Sequence, residues 1–294
     1  MAKQICYRKE CTRIRSELSI FLNRRRPPQF EGHAFCSDSC LLAYFENELN
    51  DKWRRLQMEK SRKIPRPKIG TILMQTTYLT RDQLDEAIRL QNQTREGRLG
   101  EWLLRLGFLE EHQVTAALAR QFGLPLINLR NSSANAEAVR MIPGKVAKCS
   151  GLLPVGFDDD EDSIRVAVCA PVDFLSQQAI QRMVQKGIRV YIGDQSKIQQ
   201  LLGEWYEPED LDLSTLPTFS SMDELIEVGN EIVTTAIENR AEDIRAELLQ
   251  EFFWVRLDYS AESHHYFFRY ITTPVEDSSP APGNEFIFNY AVGR

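Results

Sequence analysis

Two stretches of 24 residues, starting 30 positions apart, repeat one pattern, and that repeat constrains the fold more than any other feature of the chain. Lys68–Gln91 reads KIGTILMQTTYLTRDQLDEAIRLQ, and Arg98–Gln121 reads RLGEWLLRLGFLEEHQVTAALARQ. Ile69 falls in register with Leu99, Gly70 with Gly100, Leu73 with Leu103, Leu79 with Leu109, Leu84 with Val114, Ile88 with Leu118 and Gln91 with Gln121. Apolar residues at helical spacing on both sides of a break predict a short helix, a tight turn and a longer helix in each unit. Gly107 stands where a helix end favours a left-handed residue. Thr80 with Gln83 forms a capping-box pattern ahead of Leu84. A tandem pair of this kind implies a pseudo-symmetric module, or a ligand with two similar halves.

Gln91 and Gln121 lie on stripes that otherwise carry Val, Leu or Ile. An inward-facing amide must find partners or it costs stability, and either a guanine edge or a backbone group supplies them. Arg98 and Gly100 open a helix, where free N–H groups and the positive end of the helix dipole favour an anion. The second helix of each unit is not basic, which argues against a helix-turn-helix reader of DNA.

Four of the six cysteines, Cys6, Cys11, Cys36 and Cys40, fall in the first 40 residues as C-x4-C, a loop, then C-x3-C. Two close pairs set apart by a loop suit a tetrahedral Zn(II) site of four thiolates, a closed and therefore structural arrangement. His33 is an alternative ligand in place of one cysteine. The N-terminus has no apolar signal core, and no apolar run approaches the roughly 20 residues needed to span a bilayer. The expectation is a cytoplasmic protein, where clustered cysteines favour metal over disulfide.

The net charge of −6 hides a polarity: residues 1–68 hold 16 Lys/Arg against 8 Asp/Glu, leaving 20 against 34 in the rest. A basic head on an acidic body suits nucleic acid, anionic lipid or an acidic partner, and equally an ordinary solvated surface. Lys52, Arg54, Arg55, Lys60, Arg62, Lys63, Arg66 and Lys68 read as a basic helix followed by a linker broken by Pro65 and Pro67.

The second unit fits the motif RLGxxLLxxGLLxxxxLxxxLxxQ, and here the chain resembles the MshEN-type domains, the N-terminal regulatory domains of type II secretion and type IV pilus assembly ATPases. The resemblance implies that the two motifs together hold one cyclic di-GMP, through Lys68, Ile69, Gly70, Leu73 and Gln91 of the first unit and Arg98, Leu99, Gly100, Leu103, Gly107 and Gln121 of the second. The first unit departs from the motif. Lys68 replaces an arginine and offers no planar fork, and Thr77 replaces the turn glycine. His33-Ala-Phe-Cys-Ser-Asp-Ser-Cys40 resembles the second knuckle of FCS/TRASH-type treble-clef zinc fingers, with Leu41–Leu49 as the helix that follows.

Downstream, short strands alternate with helices. Strands are expected at Leu124–Leu129, from Leu153, at Ser163–Cys169 and at Ile188–Ile192, with helices at Pro143–Lys148, Ala170–Lys186 and Gln195–Leu202. Their order extends the secretion-ATPase resemblance to about residue 203. An acidic linker, Glu204–Met222, leads to a helix Glu227–Asn239, then Ala241-Glu-Asp-Ile-Arg245 and a strand Phe253–Asp258. This resembles the start of the second N-terminal domain of those ATPases, with Glu242 and Arg245 where the family carries Ser and His. Strands at Tyr266–Tyr270 and Glu285–Tyr290 follow, and His264 and His265 are expected on the surface.

The expected architecture is α+β: a zinc-finger-like module (1–49), a basic helix and linker (50–67), an MshEN-like domain of tandem helical motifs and α/β sandwich (68–203), an acidic linker (204–222) and a degenerate second domain (223–294). No G-x-x-x-x-G-K-[ST] appears, nor G-x-S-x-G, nor H-E-x-x-H. The expected function is non-enzymatic regulation or adaptation, with secretion or pilus assembly proteins as partners and cyclic di-GMP as a possible ligand. The alternative is a zinc-finger regulator that binds nucleic acid through its basic head.

Overall fold

The computed structural model describes residues 6–11, 27–60, 66–159, 161–249 and 252–271. Among the described residues it is α+β, with two sheets and three hydrophobic clusters. The expected strand Glu285–Tyr290 lies outside the described residues.

The tandem units fold as α2 (Ile69–Thr76) and α3 (Arg81–Thr94), then α4 (Leu99–Arg105) and α5 (Glu111–Phe122). Helices pair across the units, α2 with α5 and α3 with α4, so their apolar stripes close one core on Leu73, Leu84, Ala87, Leu103, Val114 and Ala117. The expected capping box at Thr80 and Gln83 is present, and Glu110 and Gln113 form its counterpart in the second unit.

Beyond them lie α6 (Ala136–Met141), α7 (Gly144–Cys149), β2 (Leu152–Phe157), β3 (Ser163–Val168), α8 (Phe174–Val184), β4 (Gly187–Ile192) and α9 (Gln195–Trp205). The sheet order is β2-β3-β4, antiparallel then parallel. Helix α8 starts later than expected because Asp173 caps it by accepting from the Ser176 amide. Leu124–Leu129 is not a strand. Only Leu126 bridges to Ile192, since Pro125 has no N–H and contributes only its carbonyl, accepting from Ile192 N at 2.8 Å. The tandem helices are tied to this layer by Glu111, whose carboxylate accepts from the backbone N–H of Ser196 in the first turn of α9 (2.8 Å), and by Thr115, which donates to Asp194 (2.7 Å).

The second sheet joins both ends of the chain in the order β1-β6-β7-β8-β5. Strands β6 (Asp243–Leu249), β7 (Phe252–Asp258) and β8 (Ser263–Tyr270) form an antiparallel meander. Two-residue strands cover its edges in parallel: β1 (Gln29–Phe30) on β6, and β5 (Thr218–Phe219) on β8. The stretch 204–222 is therefore not a featureless linker; it carries α10 (Pro208–Leu211) and β5. One sheet face packs on α1 (Asp38–Lys60) and α11 (Met222–Glu238), burying Leu41, Phe45 and Leu49 with Ile232, Val233, Phe253 and Val255. The cysteine-bearing head and the C-terminal segment thus share one core. Their approach is close: a Cβ on Gly229 of α11 would sit 2.6 Å from Phe45 Cε1. The other face meets α8, and Leu249, Phe252 and Trp254 join the core of the α/β layer.

Between these layers Glu247 is 2% exposed. It accepts from Lys52 Nζ at 2.9 Å, from Arg182 Nη2 at 2.9 Å and from Arg182 Nε. Lys52 also donates to Glu31 and to the Ala246 carbonyl. The basic run from Lys52 to Lys68 suggests a solvated surface for Lys52. Instead it lies on the apolar stripe of Leu41, Phe45, Leu49 and Leu56, and a buried ammonium there requires carboxylates. Arg54, two residues on and so on the opposite face of the helix, is a solvated cation.

His265 is half-buried rather than on the surface, and Trp254 Nε1 donates to its Nδ1 at 3.1 Å. Burial, assisted by the Arg256 cation and opposed by Asp258, holds its pKa down at about 4. His264, its neighbour on the opposite face, pairs with Glu262.

Two predictions follow from these buried groups. Glu247→Ala leaves Lys52 and Arg182 without their shared carboxylate and should cost about 3 kcal/mol in urea unfolding, whereas Arg54→Ala should cost less than about 0.5 kcal/mol. Because the unfolded chain protonates His265 near pH 6.5 and the folded one only near 4, its neutral form contributes stability above about pH 6.5 that is lost as pH falls toward 4. The loss should be about 3 kcal/mol in unfolding curves across that window, and His265→Gln should flatten it.

Candidate functional site

The ligand residues expected in the tandem units gather into two sets, and each set mixes the units. Lys68 precedes α2, and Ile69 and Gly70 form its first turn; Gln121 of the other unit donates to the Pro67 carbonyl at 2.7 Å. Arg98 precedes α4, with Leu99 and Gly100 in its first turn; Gln91 donates to the Gly97 carbonyl at 3.0 Å. Each glutamine thus fixes the segment that enters the opposite unit's first helix, and a backbone group satisfies the amide. Lys68 and Arg98 are exposed at the two helix N-termini. Leu73 and Leu103 are fully buried beneath them and serve the core.

Gly70 and Gly100 share a reason for lacking a side chain. A Cβ on Gly100 would lie 2.8 Å from Val114 Cγ1, and one on Gly70 would lie 3.2 Å from Leu84 Cδ1 and Cδ2. Both glycines let the second helix of their own unit cross close to the first.

The turns are built differently. Gly107 takes φ 69°, and Phe108 N donates to Leu103 O at 3.0 Å across it, the bond that closes a glycine-terminated helix. Thr77 stays extended, φ −134°, as a β-branched residue prefers. Its hydroxyl does the closing, donating to Leu73 O at 2.7 Å and accepting from Leu79 N at 3.2 Å. Tyr78, next to this turn, is fully exposed.

At the head, Cys6, Cys11, Cys36 and Cys40 place their sulfurs within 4.8 Å of one another. The Sγ separations are 3.6 Å for Cys11–Cys36, 3.6 Å for Cys36–Cys40 and 3.8 Å for Cys40–Cys11. A tetrahedron of thiolates at about 2.3 Å from a zinc ion has edges of about 3.8 Å, so the donor set fits such an ion. The looser C-x4-C spacing is no obstacle. His33 stands apart from the set, its ring stacked on Tyr7 with centroids 3.6 Å apart. Burial pushes the Cys36 thiol up to about 12, helped by its proton being shared with Cys11 and Cys40. Burial also raises Cys40, but the Ser37 hydroxyl and the surrounding thiols more than offset it and bring that group to about 7.

The Ala241–Arg245 stretch spends its charges internally. Arg245 pairs with Asp243 at 2.7 Å, Arg256 with Asp258 at 2.6 Å, and Arg256 donates to the Met183 carbonyl at the end of α8. This is a seam between layers.

Residues 122–211 match the MshEN domain family, beginning where the second unit ends. Among characterised proteins the chain is similar to the type IV pilus assembly ATPase PilB of Myxococcus xanthus, 23% identical over 64% of this chain and 37% of that protein. It is also similar to PilB of Thermus thermophilus, 24% identical over 47% of this chain and 16% of that protein, and to bacteriophage adsorption protein B of Escherichia coli K12, 29% identical over 47% and 18%. The chain thus spans well under half the length of these relatives. Among solved structures, that of MshE with cdg covers 48% of this chain and 100% of its own at 29% identity and a TM-score of 0.42. A structure of the N-terminal domain of XpsE covers 49% and 99% at 21% identity and a TM-score of 0.36. No helix among the described residues is long and apolar enough to cross a membrane. The chain carries an MshEN-type segment and is related in sequence to type IV pilus assembly ATPases.

Proposed function

We propose that this chain is a non-catalytic regulatory or adaptor protein of the cytoplasm, built on the N-terminal module of pilus and secretion ATPases, and that its tandem units receive cyclic di-GMP. The observation that carries the reading is the reciprocal arrangement of the two helix N-termini. Each presents a cation, Lys68 or Arg98, over a glycine in the first turn, and each is held by the glutamine of the other unit. A two-fold symmetric dinucleotide has two phosphates and two guanines to match two such ends. Arg98 offers a planar fork to the O6 and N7 acceptors of a guanine, while Lys68 offers a single point of charge. The second unit is therefore the stronger half. The signal would pass to secretion or pilus assembly proteins that dock on the module. Zn(II) at Cys6, Cys11, Cys36 and Cys40 would have four protein ligands and no open position, so its role is structural.

Calorimetric titration with cyclic di-GMP tests the ligand. Arg98→Ala should lower affinity by at least about tenfold, and Lys68→Arg should raise it. No heat with the wild type, or one affinity for all three proteins, sinks the ligand. Metal analysis of the purified chain should return about one zinc per chain; a clear shortfall removes the metal from the reading.

A further inference from the structure

We propose that the four-cysteine site is a staple for the C-terminal sheet, so that metal occupancy near the N-terminus governs whether residues about 200 positions later keep their fold. The inference rests on the reading that Cys6, Cys11, Cys36 and Cys40 bind Zn(II). It goes beyond that reading in what the ion holds.

The cysteine loop is seated on the sheet. Phe30 and His33 pair across a tight turn whose central residues, Glu31 and Gly32, have φ of 50° and 78°. That turn lies against β6. Gln29 N donates to Glu242 O at 2.8 Å, Glu31 N to Ile244 O at 2.9 Å, and Gly32 N to the Asp243 carboxylate at 2.8 Å. Three residues on from His33 comes Cys36, and Cys40 lies in the first turn of α1. The chain on the far side of the cluster is tied in through Tyr7 N, which donates to Ala34 O at 2.9 Å. The ion would therefore fix, together, the turn that pairs with β6 and the start of the helix that covers its face.

Without the ion the loop keeps only the Phe30–His33 pairing, its three bonds to Glu242, Asp243 and Ile244, and Tyr7 on Ala34. Thiols are weak hydrogen-bond donors, and a metal site of this size contributes folding free energy directly. The neighbours of β6 in the sheet are β1 and β7, so loss of β1 turns β6 into an open edge. Loss of α1 uncovers Ile244, Ala246 and Leu248 on one face. An uncovered apolar edge frays and invites pairing with a second copy. The α/β layer has its own core on Val166, Ile180 and Ile192, none of which belongs to the cluster that the head shares with the sheet.

The test uses the full chain. Hydrogen exchange is followed by peptide mass spectrometry before chelation, after chelation and after zinc is restored, with zinc measured in each sample. Peptides covering 222–238 and 243–249 should exchange about tenfold faster or more without metal and recover with it, while 163–168 hold their protection. Phe30→Ala keeps all four thiols and should retain zinc while exchange at 243–249 rises. If the protein holds no zinc and chelation changes nothing, the metal reading and the staple fall together. If zinc is present and leaves with 243–249 unchanged, only the staple is overturned. Equal loss of protection at 163–168 also overturns it, since the ion would then hold the whole chain.

Discussion

Glu247 is the constraint on which the arrangement of layers depends. A carboxylate this deeply buried is costly unless cations and hydrogen bonds surround it. Its two cations come from separate parts of the chain: Lys52 from the helix that follows the cysteines, and Arg182 from the helix of the α/β layer. Glu247 finds both of its cations outside its own strand, although Lys52 also pairs with Glu31 of the head. The head, the C-terminal sheet and the α/β layer must therefore meet at one place, in one register. Trp254 shows the result from the apolar side: it stands on a strand of the C-terminal sheet and is wholly buried in the core of the α/β layer.

The tandem units solve a different problem. Each first helix is only two turns long, too short to be stable by itself, so it is held by the other unit. Pairing α2 with α5 and α3 with α4 closes the core crosswise, and the two glutamines bolt each entering segment to the opposite unit. Symmetry survives where the core needs it, at Gly70 and Gly100. It is broken at the turns, where Thr77 uses a hydroxyl for what Gly107 does with its backbone. The core can thus keep two-fold geometry while the two surfaces present unequal chemistry.

Local signals were legible. Helical spacing gave the tandem helices, Thr80 with Gln83 gave a cap, and cysteine spacing gave a cluster that the fold does bring together. Pairings between remote segments were not. Nothing around Gln29–Phe30 or Thr218–Phe219 marks a two-residue strand, because its partner is more than 50 residues away and supplies half the hydrogen bonds. The burial of Lys52 did leave a trace. It falls on the spacing of Leu41, Phe45, Leu49 and Leu56, and a charged residue on an apolar stripe demands a remote counter-charge. The composition of the basic run hides it, because composition does not separate the faces of a helix. The burial of His265 is hidden for a related reason: strand alternation separates it from His264, but only the fold sets it beside Trp254.

These contacts also limit how a signal at the tandem units could reach the rest of the chain. Helix α5 meets the α/β layer through Glu111, which caps α9, and through Thr115 on Asp194. Helix α8 then meets the sheet through Arg182 and the Met183 carbonyl. A ligand that left the spacing of α2 and α4 unchanged would have no differential contact with either end of that chain of contacts, however tightly it bound. A ligand that drew the two N-termini together would act on α5 directly, since α2 packs on it, and the cap on α9 would carry the strain. The polar seams at Glu111 and Glu247 are directional, unlike the apolar core around them, and hold their geometry only within a few tenths of an ångström. A displacement at the helix ends that reached the other layers would have to shift or break these bonds.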